Sequence, residues 1–233
     1  MNLFTNRPQD GGTDANAQAF MMQQMLMSNA FITLAMVDEV SEGGDIVSVK
    51  PMIDGFTGSG VRIPKTIIYG VPVWRLQRGA SAVIMTPVVG DIGLIAICDR
   101  DISGVKATKE SSLPGSNRTH NYADAIYLGG VLNADPSQYV RFANDGIDIV
   151  SPLLVNILAP SVQIDAESSF SINSPSIVLN GPVSQGAGSN AGDFTFAGNI
   201  KATGEVIGKG IKLSTHTHSG VQSGSEDTGK PNV

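Results

Sequence analysis

The chain has 233 residues, a formal net charge of −6 and a sequence pI near 4.9, so it has no long-range electrostatic attraction to nucleic acid or to anionic lipid. Charged residues make up only 15% of the sequence against a usual share of about 25%, while its 27 glycines exceed the roughly 16 expected at average usage. This composition is typical of a mostly β protein, and no stretch approaches the ~20 apolar residues of a transmembrane helix.

Residues 1–30 are predicted to form an N-terminal arm with one short amphipathic helix. Thr13 or Asp14 is placed to cap this helix, and two sets of apolar residues follow at helical spacing. The sets are Ala17, Met21 and Met25, and Phe20, Met22 and Leu26. Methionine side chains are flexible, so we expect the helix either to cover the first domain as a lid or to dock a partner.

Residues 31–131 are predicted to form a small closed β-barrel. Five short apolar segments, separated by turn signals, have the pattern of strands. They are residues 31–37, 46–53, 67–76, 82–85 and 93–98. An immunoglobulin-like sandwich, which needs about seven strands, is the alternative.

Residues 132–213 contain a short repeat, in which apolar i, i+2 pairs begin 8, 7, 8 and 7 residues apart. The pairs are Ile147/Ile149, Val155/Ile157, Val162/Ile164, Phe170/Ile172 and Ile177/Leu179, with corner residues such as Ser-Pro and Ala-Pro between them. A strand with two inward apolar residues buries too little to be stable alone, so stacking and association must complete the core. We therefore predict a homotrimer whose stem is a triple-stranded β-helix.

Residues 214–233 are predicted to form a metal-binding apex. His216 and His218 are two positions apart, and along an extended chain such positions share a face. Two ligands are too few to hold a metal, so imidazoles from three chains would have to meet at one axis. Six nitrogen donors favour octahedral coordination, which suits iron(II), nickel or cobalt better than it suits zinc.

The sequence contains no pattern that predicts an enzyme. Six imidazoles would close the coordination sphere of a metal, whereas a catalytic metal keeps one position open. Glu226 and Asp227 are expected to be solvated charges of a capping loop. We expect His120 to fix a loop of the barrel, and Cys98 to be a buried, unreactive thiol.

Two groups of residues give the chain a resemblance to a known family. In the first domain they are Pro87-Val-Val-Gly90-Asp91-Ile-Gly93-Leu94, Asp99-Arg100-Asp101-Ile102, Arg118-Thr-His120 and Asp124-Ala125. At the end of the chain they are His216-Thr-His218-Ser-Gly220-Val221-Gln222 with Gly224, Thr228, Gly229 and Pro231. From about residue 31 onward the chain resembles the membrane-puncturing central spike proteins at the baseplate of contractile-tailed bacteriophages, and the terminal motif is the more specific.

The resemblance implies a fold, partners and a function. The fold would be an oligonucleotide/oligosaccharide-binding (OB) type barrel followed by the intertwined trimeric β-helix, with His216 and His218 of three chains binding one iron ion. The N-terminal region would meet the tail hub or baseplate protein. The spike, at the baseplate tip of the virion tail, would pierce the host outer membrane transiently when the sheath contracts.

The main alternative function is a trimeric receptor-binding or adhesive tail-fibre tip, because trimeric fibres can also end in metal-bound His-x-His elements. The barrel, and the lack of a distinct terminal lectin domain, favour the spike. A metal-dependent hydrolase is a third hypothesis, which no feature of the sequence predicts.

Overall fold

The computed structural model describes residues 12–57, 59–186, 188–190, 192–220, 222 and 224. The protein is mostly β, with 27% strand and 12% helix, as predicted. It divides into two units, Met1–Leu158 and Ala159–Val233. Among the helices of the described ranges, none is long and apolar enough to cross a membrane.

The secondary-structure elements are short, as expected for a glycine-rich chain. In chain order they are α1 (Asp14–Ser28), β1 (Ile32–Val40), β2 (Ile46–Pro51), β3 (Gly55–Phe56), β4 (Arg62–Ile63), β5 (Ile68–Pro72), β6 (Leu76–Arg78), β7 (Ser81–Val83), β8 (Ile92–Ile97), α2 (Ser103–Thr108), a 3₁₀ turn (Tyr122–Asp124), β9 (Ala125–Gly130), β10 (Tyr139–Ala143), β11 (Gly146–Val150), β12 (Ile207–Gly208) and β13 (Ile211–Lys212).

Helix α1 forms where the sequence predicts a helix, and Thr13 is its N-cap. The Thr13 backbone is extended, and its side-chain oxygen accepts a hydrogen bond from the Asn16 N–H at 3.2 Å. No residue of α1 is buried, and its methionines are 56–66% exposed. This exposure argues against a lid over the first domain and leaves the docking surface as the hypothesis for α1.

Five strands form one curled antiparallel sheet, which makes half of a barrel. Their order is β5-β2-β1-β8-β9. The two edges meet just after β5, where Val73 forms a parallel bridge to Tyr127 and the Trp74 N–H donates to the Tyr127 carbonyl at 2.8 Å. Residue Gly93 of β8 permits this closure, because a Cβ there would overlap the Tyr127 ring and lie 2.5 Å from the Gly129 carbonyl oxygen.

The core of the first unit lies inside this curl and draws on all five strands. It consists of Ala35, Val37, Val47, Val49, Ile68, Val71, Ile95, Ile97, Ala125 and Tyr127. Along β8, buried residues alternate with half-buried ones, which is the period of two expected for a strand with one face on a core. The sequence predicts a strand here, and the structure shows which of its faces lies on the core.

The strands differ from the prediction in two places. The predicted strand 67–76 breaks after Pro72, and its last residue begins β6, which pairs only with β7 in a separate ribbon. The predicted strand 82–85 overlaps β7, so it is not part of the large sheet. Its place is taken by β9, which was not predicted. The described part of residues 31–150 contains no second large sheet, so the immunoglobulin-like alternative is not supported.

Between residues 151 and 205, the backbone groups of the described residues have no backbone hydrogen bond within the chain. From 151 to 206 the described residues form no helix and no strand, and no backbone hydrogen bond joins two of them. The paired apolar side chains are 51–72% exposed. The first pair, Ile147/Ile149, lies on β11, which forms a hairpin with β10.

Candidate metal-binding apex

A small hairpin, β12–β13, precedes the two histidines. Lys209 and Gly210 connect its strands with φ of 51° and 82°. Two consecutive positive φ angles are typical of the type I′ turn, whose twist matches that of the strands it joins. The Leu213 N–H donates to the Val206 carbonyl at 2.9 Å, which extends the pairing beyond the strands. The hairpin therefore reverses the chain just before the histidines.

Glu205 lies beside the end of this extended hairpin. Its Oε1 accepts a hydrogen bond from the Ser214 N–H at 3.1 Å, and its Oε2 accepts one from the Ser214 hydroxyl. These bonds, that from the hydroxyl first, lower the pKa of Glu205 below its usual value. At neutral pH the Glu205 side chain is therefore a charged carboxylate. In this form it holds Ser214, which lies two positions before His216.

The structure brings His216 and His218 together. Their ring centroids are 5.1 Å apart, and the rings meet edge to face at 76°. His216 Nδ1 lies 2.9 Å from the Leu213 carbonyl oxygen. Because a carbonyl can only accept a hydrogen bond, Nδ1 carries the proton in this contact, and the lone pair of the neutral ring is on Nε2. A backbone carbonyl that orients a histidine in this way is a common support for a metal ligand.

The described donors of one chain are too few for a complete metal site. Within the described part of the chain, no group of three or more His, Cys, Asp or Glu side chains could hold a metal ion. The two adjacent imidazoles of one chain therefore make an incomplete site. Of the other terminal residues named above, Val221, Glu226, Asp227, Thr228, Gly229 and Pro231 lie outside the described residues.

Three supports of this apex were not identified from the sequence: Glu205, Leu213 and Ser214. Their contacts depend on the chain reversal at Lys209 and Gly210. The Gly-Lys-Gly run at 208–210 is the signal that could have indicated a tight hairpin there, because glycine favours positive φ.

Three polar residues of the first motif group, Asp101, Arg118 and Asp124, form a network in the barrel in which both carboxylates are buried. Arg118 bonds Asp124 through Nε at 2.6 Å and Asp101 through a terminal nitrogen at 2.7 Å. Hydrogen bonds from Ser103 and Ser116, together with the Arg118 charge, lower the pKa of Asp101 to about 2. Arg118 likewise lowers the pKa of Asp124, and Asp124 raises that of Arg118. These residues tie loops to the end of β8 and the start of β9.

His120 and Cys98 also lie at this end of the barrel. The backbone of His120 has a φ of 47° and bonds both Asp99 and Ala30, while its ring packs on Phe31 with centroids 4.6 Å apart. His120 therefore fixes a loop, as expected. Cys98 is half-buried rather than buried, and desolvation raises the pKa of its thiol, which favours the unreactive protonated form.

We expect Asp124→Asn to lower the free energy of unfolding of the barrel by about 2–3 kcal/mol, because it breaks the buried pair with Arg118. This is less than the about 3–5 kcal/mol of a fully buried pair, since the Arg118 side chain is 35% exposed. Denaturant unfolding followed by the fluorescence of Trp74, the single tryptophan, measures the change.

Asp148→Asn is the matched control for this prediction. Arg141 Nε donates to Asp148 Oδ2 at 2.9 Å in an exposed pair. The same substitution should therefore change the free energy of unfolding by no more than about 0.5 kcal/mol. Equal losses in the two variants would contradict a special role for the buried network.

Comparison with protein families gives a match at the end of the chain. The family model of the GpV Apex motif matches residues 210–232, a range that contains β13 and both histidines. No curated protein matches the chain. The match supports the interpretation of the chain as a phage tail spike protein, and it indicates that residues 210–232 are similar to the apex of a phage baseplate spike.

Proposed function

We propose that this chain is the structural spike of a phage tail baseplate, which pierces the host outer membrane on tail contraction. Its apex is stabilised by a metal ion that three copies share. The proposal depends on one observation. The segment that matches the GpV Apex motif contains His216 and His218, whose ring centroids lie 5.1 Å apart.

The properties of the stem favour an assembly of three chains over a single chain. The paired apolar side chains of the repeat are more than half exposed in the single chain, and the described backbone of residues 151–205 has no backbone hydrogen bonds within the chain. Both observations favour completion of the stem by other chains. Three chains wound about one axis give every backbone a neighbour on both sides, and they bury the apolar pairs in layers. Such a triple-stranded β-helix has no open lateral edge, which suits a part that carries mechanical load.

The topology of the first unit supports an OB-type barrel. Strands β1, β2 and β5 form a meander, and β8 and β9 return on the other side of β1. The parallel bridge between Val73 and Tyr127 then joins the two edges of the sheet, at the end of β5 and in β9, which are its third and fifth strands in chain order. A five-stranded barrel that stays partly open is typical of the OB-fold. The exposed apolar side chains of α1 are the surface that we assign to the tail hub or baseplate protein.

We assign the iron ion at the apex a structural role and not a catalytic one. His216 and His218 of three chains would supply six imidazole nitrogens, which is the donor number that iron(II) prefers. When bound, the ion would add its binding free energy to the folding of the apex. The leading role of this chain is therefore mechanical, and nucleic acid is not among its proposed partners.

Phage particles that carry His216→Ala plus His218→Ala test this function against the receptor-binding alternative. We expect them to adsorb to host cells as well as wild type, because the spike does not select the host. They should open the outer membrane less often, which is measured by the access of a chromogenic β-lactam to a periplasmic β-lactamase.

Thr217→Ala, between the two histidines, is the matched control and should behave as wild type in both assays. Loss of adsorption by the double variant, with unchanged membrane opening per adsorbed particle, would contradict the spike and favour a receptor-binding tip.

A further inference from the structure

We propose that Glu205 is a positioning residue for the metal-binding histidines. Its carboxylate clamps Ser214 and thereby holds the Leu213 carbonyl where it orients His216. This inference rests on the proposed function of the apex as a shared metal site. Glu205 lies outside the matched residues 210–232, so the match does not assign it a role.

The contacts form two adjacent links that lead to the ligand. In the first, Glu205 accepts from both the N–H and the hydroxyl of Ser214. In the second, the Leu213 N–H donates to Val206 at 2.9 Å, and the Leu213 carbonyl accepts from His216 Nδ1 at 2.9 Å. Residues 205 and 206 therefore hold residues 213 and 214, and the carbonyl between these last two fixes the histidine ring.

A carboxylate suits this position better than an amide. It is an acceptor at both oxygens, whereas the amide of Gln or Asn offers one acceptor and one donor group. Both Ser214 groups act as donors to Glu205. With an amide at position 205 only the oxygen accepts, so the Ser214 hydroxyl would have to turn and accept from the amide nitrogen, and both bonds would lose the charge assistance of the carboxylate.

The hairpin needs such a clamp because it is very short. Strands β12 and β13 contain two residues each, and an isolated two-stranded hairpin is marginally stable at best. All residues of this hairpin are exposed in the single chain, so no apolar core within the chain itself fixes the direction of the chain towards His216. The Glu205 clamp closes the hairpin on the side of the histidines.

Glu205→Gln in the full-length protein tests the clamp, with cobalt(II) as the probe metal. In the metal-stripped protein, the Ser214 amide should lose protection from hydrogen exchange. Cobalt(II) should bind roughly tenfold more weakly, as is typical when a group behind a metal ligand is lost, and its absorption spectrum should change. Glu167→Gln removes an exposed carboxylate of the stem and should leave all three readouts as in wild type.

Native mass spectrometry shows whether the variant keeps its assembly. If Glu205→Gln does not assemble, Ser214→Ala removes only the hydroxyl donor and keeps the bond from the backbone N–H, so it should weaken cobalt binding and lower the protection of the amide at position 214 by smaller factors.

The outcomes separate the clamp from the proposed function. Unchanged cobalt affinity and spectrum in Glu205→Gln, with wild type binding cobalt, would overturn the clamp and leave the shared metal site standing. Failure of the wild-type protein to bind cobalt or iron would contradict the proposed function and the positioning role with it, whatever the exchange data show.

Discussion

A chain that carries Val162→Asp and Ile164→Asp will be monomeric in solution. These two residues are 58% and 63% exposed in the single chain, and the account places them in one apolar layer between three chains. The double variant would bring six carboxylates into that layer. Burying ionised carboxylates without partners costs several kcal/mol for each, which is more than a layer of Val and Ile contributes by burial. Sedimentation velocity should show loss of the trimer.

Ser161→Asp plus Gln163→Asp is the matched control for the stem. It introduces the same two charges one position earlier, on the side chains that alternate with the apolar pair. These charges would remain in solvent, so the control should stay trimeric. A trimer that survives Val162→Asp plus Ile164→Asp would contradict the layered stem, and dissociation of both variants would mean that charge alone, not its position, disrupts assembly.

The second large effect is expected at the apex. His216→Ala plus His218→Ala should reduce the metal content from one ion per trimer to none, because it removes every imidazole that the account assigns to the site. The trimer should persist, since the apolar layers of the stem hold it independently of the metal. Metal analysis on the sized protein measures both properties in one sample.

His120→Ala provides the control, because it removes the remaining histidine of the chain, whose ring packs on Phe31 in the barrel. This variant should keep one ion per trimer. Retention of the metal by the double variant would contradict the assigned ligands, and a monomeric double variant would show that the metal is needed for assembly rather than for the apex alone.

The sheet of the first unit was predictable where apolar residues alternate or run together. Strands β1, β2 and β8 have this pattern and lie where it predicts them. Strand β9 was missed because Gly129 and Gly130 end it, and glycine weakens a strand signal. The break after Pro72 was also missed, although proline cannot donate to a ladder and so favours the end of a strand.

The candidate site was predictable only as far as its local spacing. The proximity of His216 and His218 follows from their i, i+2 positions, and the 5.1 Å between their rings agrees with it. The Glu205–Ser214 contact joins residues nine positions apart through a turn that requires Lys209 to adopt positive φ, which is uncommon for a residue with a side chain. The stem could be interpreted from its repeat because, in the proposed trimer, its partners are copies of the same sequence.

Native mass spectrometry with metal analysis on the purified full chain tests the central claim, that three copies share one stem and one apex. We expect a complex of three chains that contains one iron ion. A trimer without metal would contradict the shared histidine site, and a metal-free monomer would contradict the spike as a whole.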